Sequence, residues 1–152
     1  ILKSSAKIND LQNPLAKMSK SATSMQGVIE IMDPPEVNAK KIKSAVTDTG
    51  REVRFDEKGK PGISNLITIH SSISGRSIAE IETEFAGKGY GDFKTEVAEV
   101  VVDFLSPIRQ RALDLLDDEP GLLKILREGA VKARVVAEKT LEDAYRNMGL
   151  VR

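Results

Sequence analysis

Cysteine is absent from the 152 residues, and histidine occurs once, at His70. Without a thiol the chain forms no disulfide and no thiolate metal site, and it has no need of an oxidising compartment. One histidine cannot build a zinc cluster, so no residue is assigned to a metal. Net charge is lacking too: 23 Lys and Arg stand against 23 Asp and Glu. A general nucleic-acid binder is expected to be strongly basic, although a local patch still allows a specific RNA contact. Apolar runs fall far short of a membrane span, and no signal-peptide shape opens the chain. The expected setting is therefore soluble, intracellular and cytoplasmic, with no membrane partner. Internal repeats, linkers and low-complexity tracts are missing as well, and the length suits one compact domain.

What is present is mainly helical periodicity. Val28 to Met32 is short and β-rich and predicts a brief strand or extended segment. Asp33 then reads as an N-cap with Pro34 at the first helical position, ahead of Val37, Lys41, Ile42, Ala45 and Val46 at helical spacing. Lys40 reads as part of a solvated face, and Lys43 is left open between solvent and a phosphate contact. Thr47 to Pro61 reads as a loop, extended near Arg51 to Phe55 and bent at Glu57 to Gly59. Ile63, Leu66, Ile67, His70 and Ile73 share a 3.6-residue face despite dense β-branching, which predicts a helix. His70 there reads as a core-edge side chain with one satisfied nitrogen, not a catalyst.

Ser77 and Glu80 form a capping box for a helix that turns Ile78, Ile81 and Phe85 inward. Gly87 to Gly91 is a glycine-rich corner without a βαβ context, so it is no dinucleotide loop. A long helix capped by Asp92 follows, striped from Phe93 to Leu116, with a kink expected at Pro107. Pro120 opens a last helix striped from Leu122 to Tyr145 and closed at Gly149. These two long helices are expected to carry most of the stability.

The stretch with chemistry is Lys17-Met18-Ser19-Lys20-Ser21. It follows the turn signal Asn13-Pro14, and apolar periodicity stops there. Two mobile ammonium groups with serine and backbone donors suit a polyphosphate. The Walker spacing is absent, so this is not a P-loop. Together with Asp10 to Pro14, Ile31-Met32-Asp33-Pro34-Pro35, Lys40 to Asp48 and Gly89 to Lys94, the pentapeptide resembles the second signature of class I aminoacyl-tRNA synthetases, closest to the bacterial tryptophanyl type. The resemblance runs from about Lys7 to the C-terminus. Ala16, Asn13 and Ala22 depart from the family pattern, but both core lysines stand.

That resemblance implies a C-terminal portion of a longer enzyme. The chain opens Ile1-Leu2-Lys3 without an initiator methionine, and the His-x-Gly-His signature of the nucleotide-binding half is missing. The implied fold class is mainly α: a helical tRNA-binding domain plus the lysine-loop remnant of a Rossmann-fold catalytic domain whose main part is missing. Residues 1–32 would end the catalytic domain, 33–118 would form the anticodon-binding-like helical domain, and 119–152 a helix packing back toward the catalytic domain. The implied activity is that of a tryptophan–tRNA ligase, with ATP, tryptophan and tRNA(Trp) as partners and a homodimeric parent. ATP would arrive with Mg2+ as a substrate complex, with no permanent cofactor. Lys17 and Lys20 are the implied catalytic residues, and Met18, Ser19 and Ser21 complete the nucleotide-binding loop. Lys94, Arg109 and Arg111 are candidate RNA contacts. The portion alone is expected to be inactive. Two alternatives stand beside this reading, a tyrosyl-type class I synthetase and a non-catalytic helical RNA-binding fragment.

Overall fold

The computed structural model describes residues 7–22 and 24–150. Residues 1–6 and Thr23, parts of the expected leading segment and its loop, lie outside the described residues. The fold class is helical, as expected. A 3-10 turn at Met25–Gly27 precedes five helices: α1 (Pro35–Lys43), α2 (Pro61–Ser74), α3 (Ile78–Glu84), α4 (Tyr90–Asp117) and α5 (Glu119–Met148). Among the described residues there is no β-strand, only an isolated antiparallel bridge between Asn9 and Lys17. Val28 is extended, at φ −114° and ψ 126°, but joins no sheet. No helix among the described residues is long and apolar enough to cross a membrane. The chain divides into two compact units, Ile1–Arg109 and Gln110–Arg152.

The first unit is built around α2. Its β-branched sequence is a poor helix former in isolation, yet Ile63, Leu66 and Ile67 are wholly buried. Tertiary packing therefore overrides propensity here. Phe93 and Val97 of α4, Ile81 of α3 and Ile42 of α1 close the same core. Phe85 meets Phe93 edge to face at a centroid distance of 4.9 Å. Gly62 brings α2 against the backbone of Val46 and Thr47, where a Cβ would overlap the Val46 carbonyl. His70 is 1% exposed, deeper than the expected core edge. Its Nδ1 meets Ser74 Oγ at 3.2 Å, and its Nε2 lies 3.8 Å from Glu96, too far for a hydrogen bond.

Local signals hold unevenly. The capping box of α3 is present, with Ser77 Oγ accepting from the Glu80 N–H and the Ser77 N–H donating to the Glu80 carboxylate. Gly149 closes α5 in the left-handed region at φ 67°. The start of α1 is shifted by one residue: Pro34 is the N-cap and Pro35 the first helical residue. A residue before proline is pushed out of the α region, and Pro34 sits at ψ 144°. Asp33 is not the cap because its carboxylate takes the Lys41 ammonium at 2.6 Å. α1 ends at Lys43, so Ala45 and Val46 lie beyond it. α4 begins at Tyr90, two residues before the expected cap, and runs through Pro107. Its stripe is buried only as far as Val101; Phe104 is 50% exposed.

The second unit holds the end of α4 and α5. Asp118 caps α5, accepting from the Gly121 N–H. None of the 30 residues of α5 is buried, and Leu126, Val136 and Met148 are each more than half exposed.

Candidate functional site: the lysine turn and its root

The lysine pentapeptide grows from a short hairpin. Asp10 N–H donates to the Ala16 carbonyl at 2.9 Å and Met18 N–H to the Ile8 carbonyl at 3.0 Å, which sets Asn9 opposite Lys17. The bend between them is fixed by Asp10, whose Oδ1 accepts from the N–H groups of Gln12 (2.7 Å) and Asn13 (2.9 Å). This Asx geometry explains the turn signal of Asn13-Pro14. Asn9 Nδ2 donates to the Pro14 carbonyl at 2.7 Å, and Asn9 Oδ1 is enclosed without a partner. Gly27 is buried against Asp10, and a Cβ there would fall within the Asp10 carboxylate. Leu11, 1% exposed, joins the core; its N–H donates to Gly27 and its carbonyl accepts from Val46.

Beyond the hairpin the chain turns outward. Ala22 N–H donates to the Ser19 carbonyl at 3.1 Å, and the Ser19 and Ser21 hydroxyls meet at 3.1 Å. Lys17, Ser19, Lys20 and Ser21 are exposed, and Met18 is partly buried against the core. Neither the Lys17 nor the Lys20 ammonium has an ion pair or hydrogen bond among the described residues. The structure thus gathers all five pentapeptide residues on one polar turn, with adjacent hydroxyls and two cations that have no ion-pair partner among the described residues. Such a surface can receive a multiply charged anion.

The root of the turn is held by helices where a sheet partner would otherwise stand. Asn65 of α2 accepts the Asn9 N–H on Oδ1 at 2.9 Å and donates from Nδ2 to the Asn9 carbonyl at 2.8 Å. Away from the turn, on a separate stretch of chain, Asn38 of α1 clamps Glu30 with the same geometry, at 3.3 and 2.8 Å. Lys41, 5% exposed, donates to the Val28 carbonyl at 2.8 Å as well as to Asp33. Sequence reasoning missed Asp10 and Asn65 at the turn, and the contacts of Asn38 and Lys41 outside it. The available signal was a polar residue on an apolar helical face, Asn65 beside Ile63 and Leu66.

A second polar cluster ties the 47–60 loop to α2 and α4. Tyr90 donates its hydroxyl hydrogen to Asp48 at 2.9 Å, and Lys60 Nζ donates to the Tyr90 oxygen at 2.8 Å. Burial works against ionisation of Asp48, yet the Gly50 N–H, Tyr90 and Lys60 together hold its carboxyl below the usual range. The hydrogen bond to Tyr90 raises Lys60, and burial raises Tyr90. With neither base freed near neutrality, the cluster is a structural clip and not an acid–base pair.

The RNA candidates are dispersed in role. Lys94 is held by the Ala45 carbonyl at 2.7 Å, and burial lowers its pKa. Arg109 donates to the Met32 carbonyl at 3.2 Å. Arg111 is exposed, as are Lys40 and Lys43. Among the described residues no group of three or more His, Cys, Asp or Glu side chains could hold a metal ion.

With this geometry in view, the comparisons with known proteins are informative. A family model described as "tRNA synthetases class I (W and Y)" matches residues 5–106. "Tryptophan--tRNA ligase 2" of Streptomyces avermitilis is 53% identical over 151 residues, covering 99% of this chain and 45% of that protein. The tryptophan–tRNA ligase of Oceanobacillus iheyensis is 49% identical, covering 100% and 46%. The crystal structure of tryptophanyl-tRNA synthetase from Mycoplasma pneumoniae superposes with a TM-score of 0.84 at 31% identity, over 99% of this chain and 47% of that one. The Campylobacter jejuni enzyme complexed with ADP and tryptophan gives 0.68 at 30%, over 95% and 44%. The chain spans somewhat under half the length of these relatives. On the family match, which covers the lysine turn, its root and most of the helical core, the chain belongs to the class I tRNA synthetases of the W and Y group.

Proposed function

We propose that this chain is the portion of a tryptophan–tRNA ligase that carries the lysine turn and the helical tRNA-binding part. The observation that carries the reading is the pair of ammonium groups, Lys17 and Lys20, with no ion-pair partner among the described residues, on a turn whose root is firmly held. In the reaction, a tryptophan carboxylate oxygen attacks the α-phosphorus of ATP. The new carboxyl–phosphorus bond forms as the α–β bridging bond breaks, and pyrophosphate leaves with the bonding pair. A ribose hydroxyl of tRNA(Trp) then takes the aminoacyl group and AMP departs. Negative charge builds on the bridging oxygen and on pyrophosphate in the first step, and Lys17 and Lys20 stabilise it there. Ser19 and Ser21 donate to phosphate and shape the turn. Met18 seats the turn from below through its contact with the core. Mg2+ would arrive with ATP, and no residue of this portion is assigned to hold it.

The working enzyme in this reading is cytoplasmic and homodimeric, with the rest of the nucleotide-binding domain and the tryptophan pocket outside this portion. Residues 1–32 close the catalytic domain, 33–118 read the tRNA, and 119–152 pack back onto the catalytic domain. The exposed apolar arc of α5 supports that last assignment, because so much apolar surface is normally covered. The test is amino-acid-dependent ATP–pyrophosphate exchange by a ligase of the relatives' full length carrying this portion. Exchange with tryptophan and not tyrosine is expected, and Lys20→Ala should slow adenylate formation about 100-fold with tryptophan affinity retained. The 152-residue chain by itself should give no exchange, since two lysines cannot orient adenine, tryptophan and the α-phosphorus. Exchange with tyrosine alone, or an unchanged rate in Lys20→Ala, overturns the reading.

A further inference from the structure

We infer that Asn65 is a positioning residue for adenylate formation, setting the register of the lysine turn through the backbone of Asn9; this rests on the ligase reading above. In an antiparallel pair, residues facing each other without mutual hydrogen bonds turn their own N–H and C=O groups outward. Asn9 and Lys17 are such a pair, since the flanking bonds run from Asp10 to Ala16 and from Met18 to Ile8. The outward edge of Asn9 would be met by a third strand in a sheet. Here the Asn65 carboxamide meets it, accepting at 2.9 Å and donating at 2.8 Å as a peptide group would. Asn65 is 6% exposed and sits between the wholly buried Ile63, Leu66 and Ile67, so its own placement is fixed by the core.

The consequence for Lys17 is direct. Side chains of a facing pair lie on the same side of the ribbon, about 4.5–5.5 Å apart at Cβ. Holding both polar groups of Asn9 therefore fixes the face on which Lys17 leaves the backbone, and a one-residue slip would send it to the other face. Asn38 supplies a natural control. It makes the same clamp on Glu30, and it belongs to a different stretch of chain from the hairpin.

The experiment uses a full-length ligase carrying this portion, with single-turnover adenylate formation, tryptophan affinity and thermal melting measured together. Asn65→Ala should slow adenylate formation about 10-fold and change tryptophan Kd less than about twofold. Asn65→Asp keeps the volume and the acceptor but loses the donor, and it should slow the same step where Asn65→Ala fails to fold. In a Lys20→Ala background, Asn65→Ala should add little, because both changes act through one turn. Asn38→Ala should lower the melting temperature and leave the rate near normal. Full multiplication of the Asn65 and Lys20 effects, loss of tryptophan affinity in step with rate, or equal slowing in Asn38→Ala overturns the inference. Amide exchange at Met18 reads the clamp without activity: it should quicken in Asn65→Ala, and unchanged protection also overturns it. Absence of tryptophan-dependent exchange in the unaltered ligase instead overturns the ligase reading.

Discussion

Helices α2 and α5 invert what their sequences suggest. α2 has 14 residues crowded with isoleucine, serine and threonine, and eight of them are buried. α5 has 30 residues rich in alanine, leucine, lysine and glutamate, and none is buried. Residues that dislike helices are thus held in one by the core around them, and good helix formers make a helix in which no residue is buried. Intrinsic preference decides where packing does not. Of the two long helices expected to carry most of the stability, α4 gives Phe93, Val97, Ala98 and Val101 to the core and α5 gives none. The stable core runs from Leu11 to Val101 and is centred on α2.

The sharpest way to break this comparison is to cut into the core. Phe93→Ala removes a wholly buried ring that touches Phe85 and His70. A loss of about 4 kcal/mol is expected in urea unfolding, and a loss below about 1 kcal/mol would mean the core is not where burial puts it. Acidification should come next. Burial holds His70 below its ordinary value of 6.5, with Glu96 and Glu84 opposing and Arg76 reinforcing that shift. The unfolded chain therefore takes the proton first as pH falls below about 6.5, and stability drops until pH passes the lower folded value. Replacing His70 with Phe should flatten that part of the pH–stability curve; an unaltered slope would assign it to other groups.

Smaller effects probe each helix in turn. Ser77→Ala strips the capping box from α3 and should cost about 1 kcal/mol. Gly129→Ala in α5 should act in the opposite direction, raising helicity by up to about 1 kcal/mol, because nothing stands within 4 Å of the added methyl. Circular dichroism of the chain would read it. Smallest of all, Leu126→Lys should stay within about 0.5 kcal/mol, since Leu126 is 59% exposed. A loss near that of Phe93→Ala would mean that the arc of α5 is covered in solution.

Legibility followed range. The capping box, the glycine stop of α5 and the amphipathic face of α2 are local patterns, and each reads directly from neighbouring residues. The pentapeptide reads as an exposed polar turn for the same reason. What escaped the sequence is what depends on distant partners. Lys41 falls in helical register with Val37 and Ala45, but nothing near it in sequence names its partners, the Val28 carbonyl and Asp33. Asn65 lies 56 residues from the backbone it clamps. The shifted start of α1 reflects competition, because Lys41 claims the carboxylate that would have served as a cap.

That 56-residue separation also orders events in time. Closing a loop of this length carries an entropic penalty on the order of 3–4 kcal/mol, whereas single helices form within microseconds from neighbours alone. On a ribosome, the stretch bearing the two lysines emerges long before its anchor on α2 has been made. The lysine turn is therefore among the last pieces of this unit to find its shape, and a chain halted before residue 65 would display both lysines with no fixed direction.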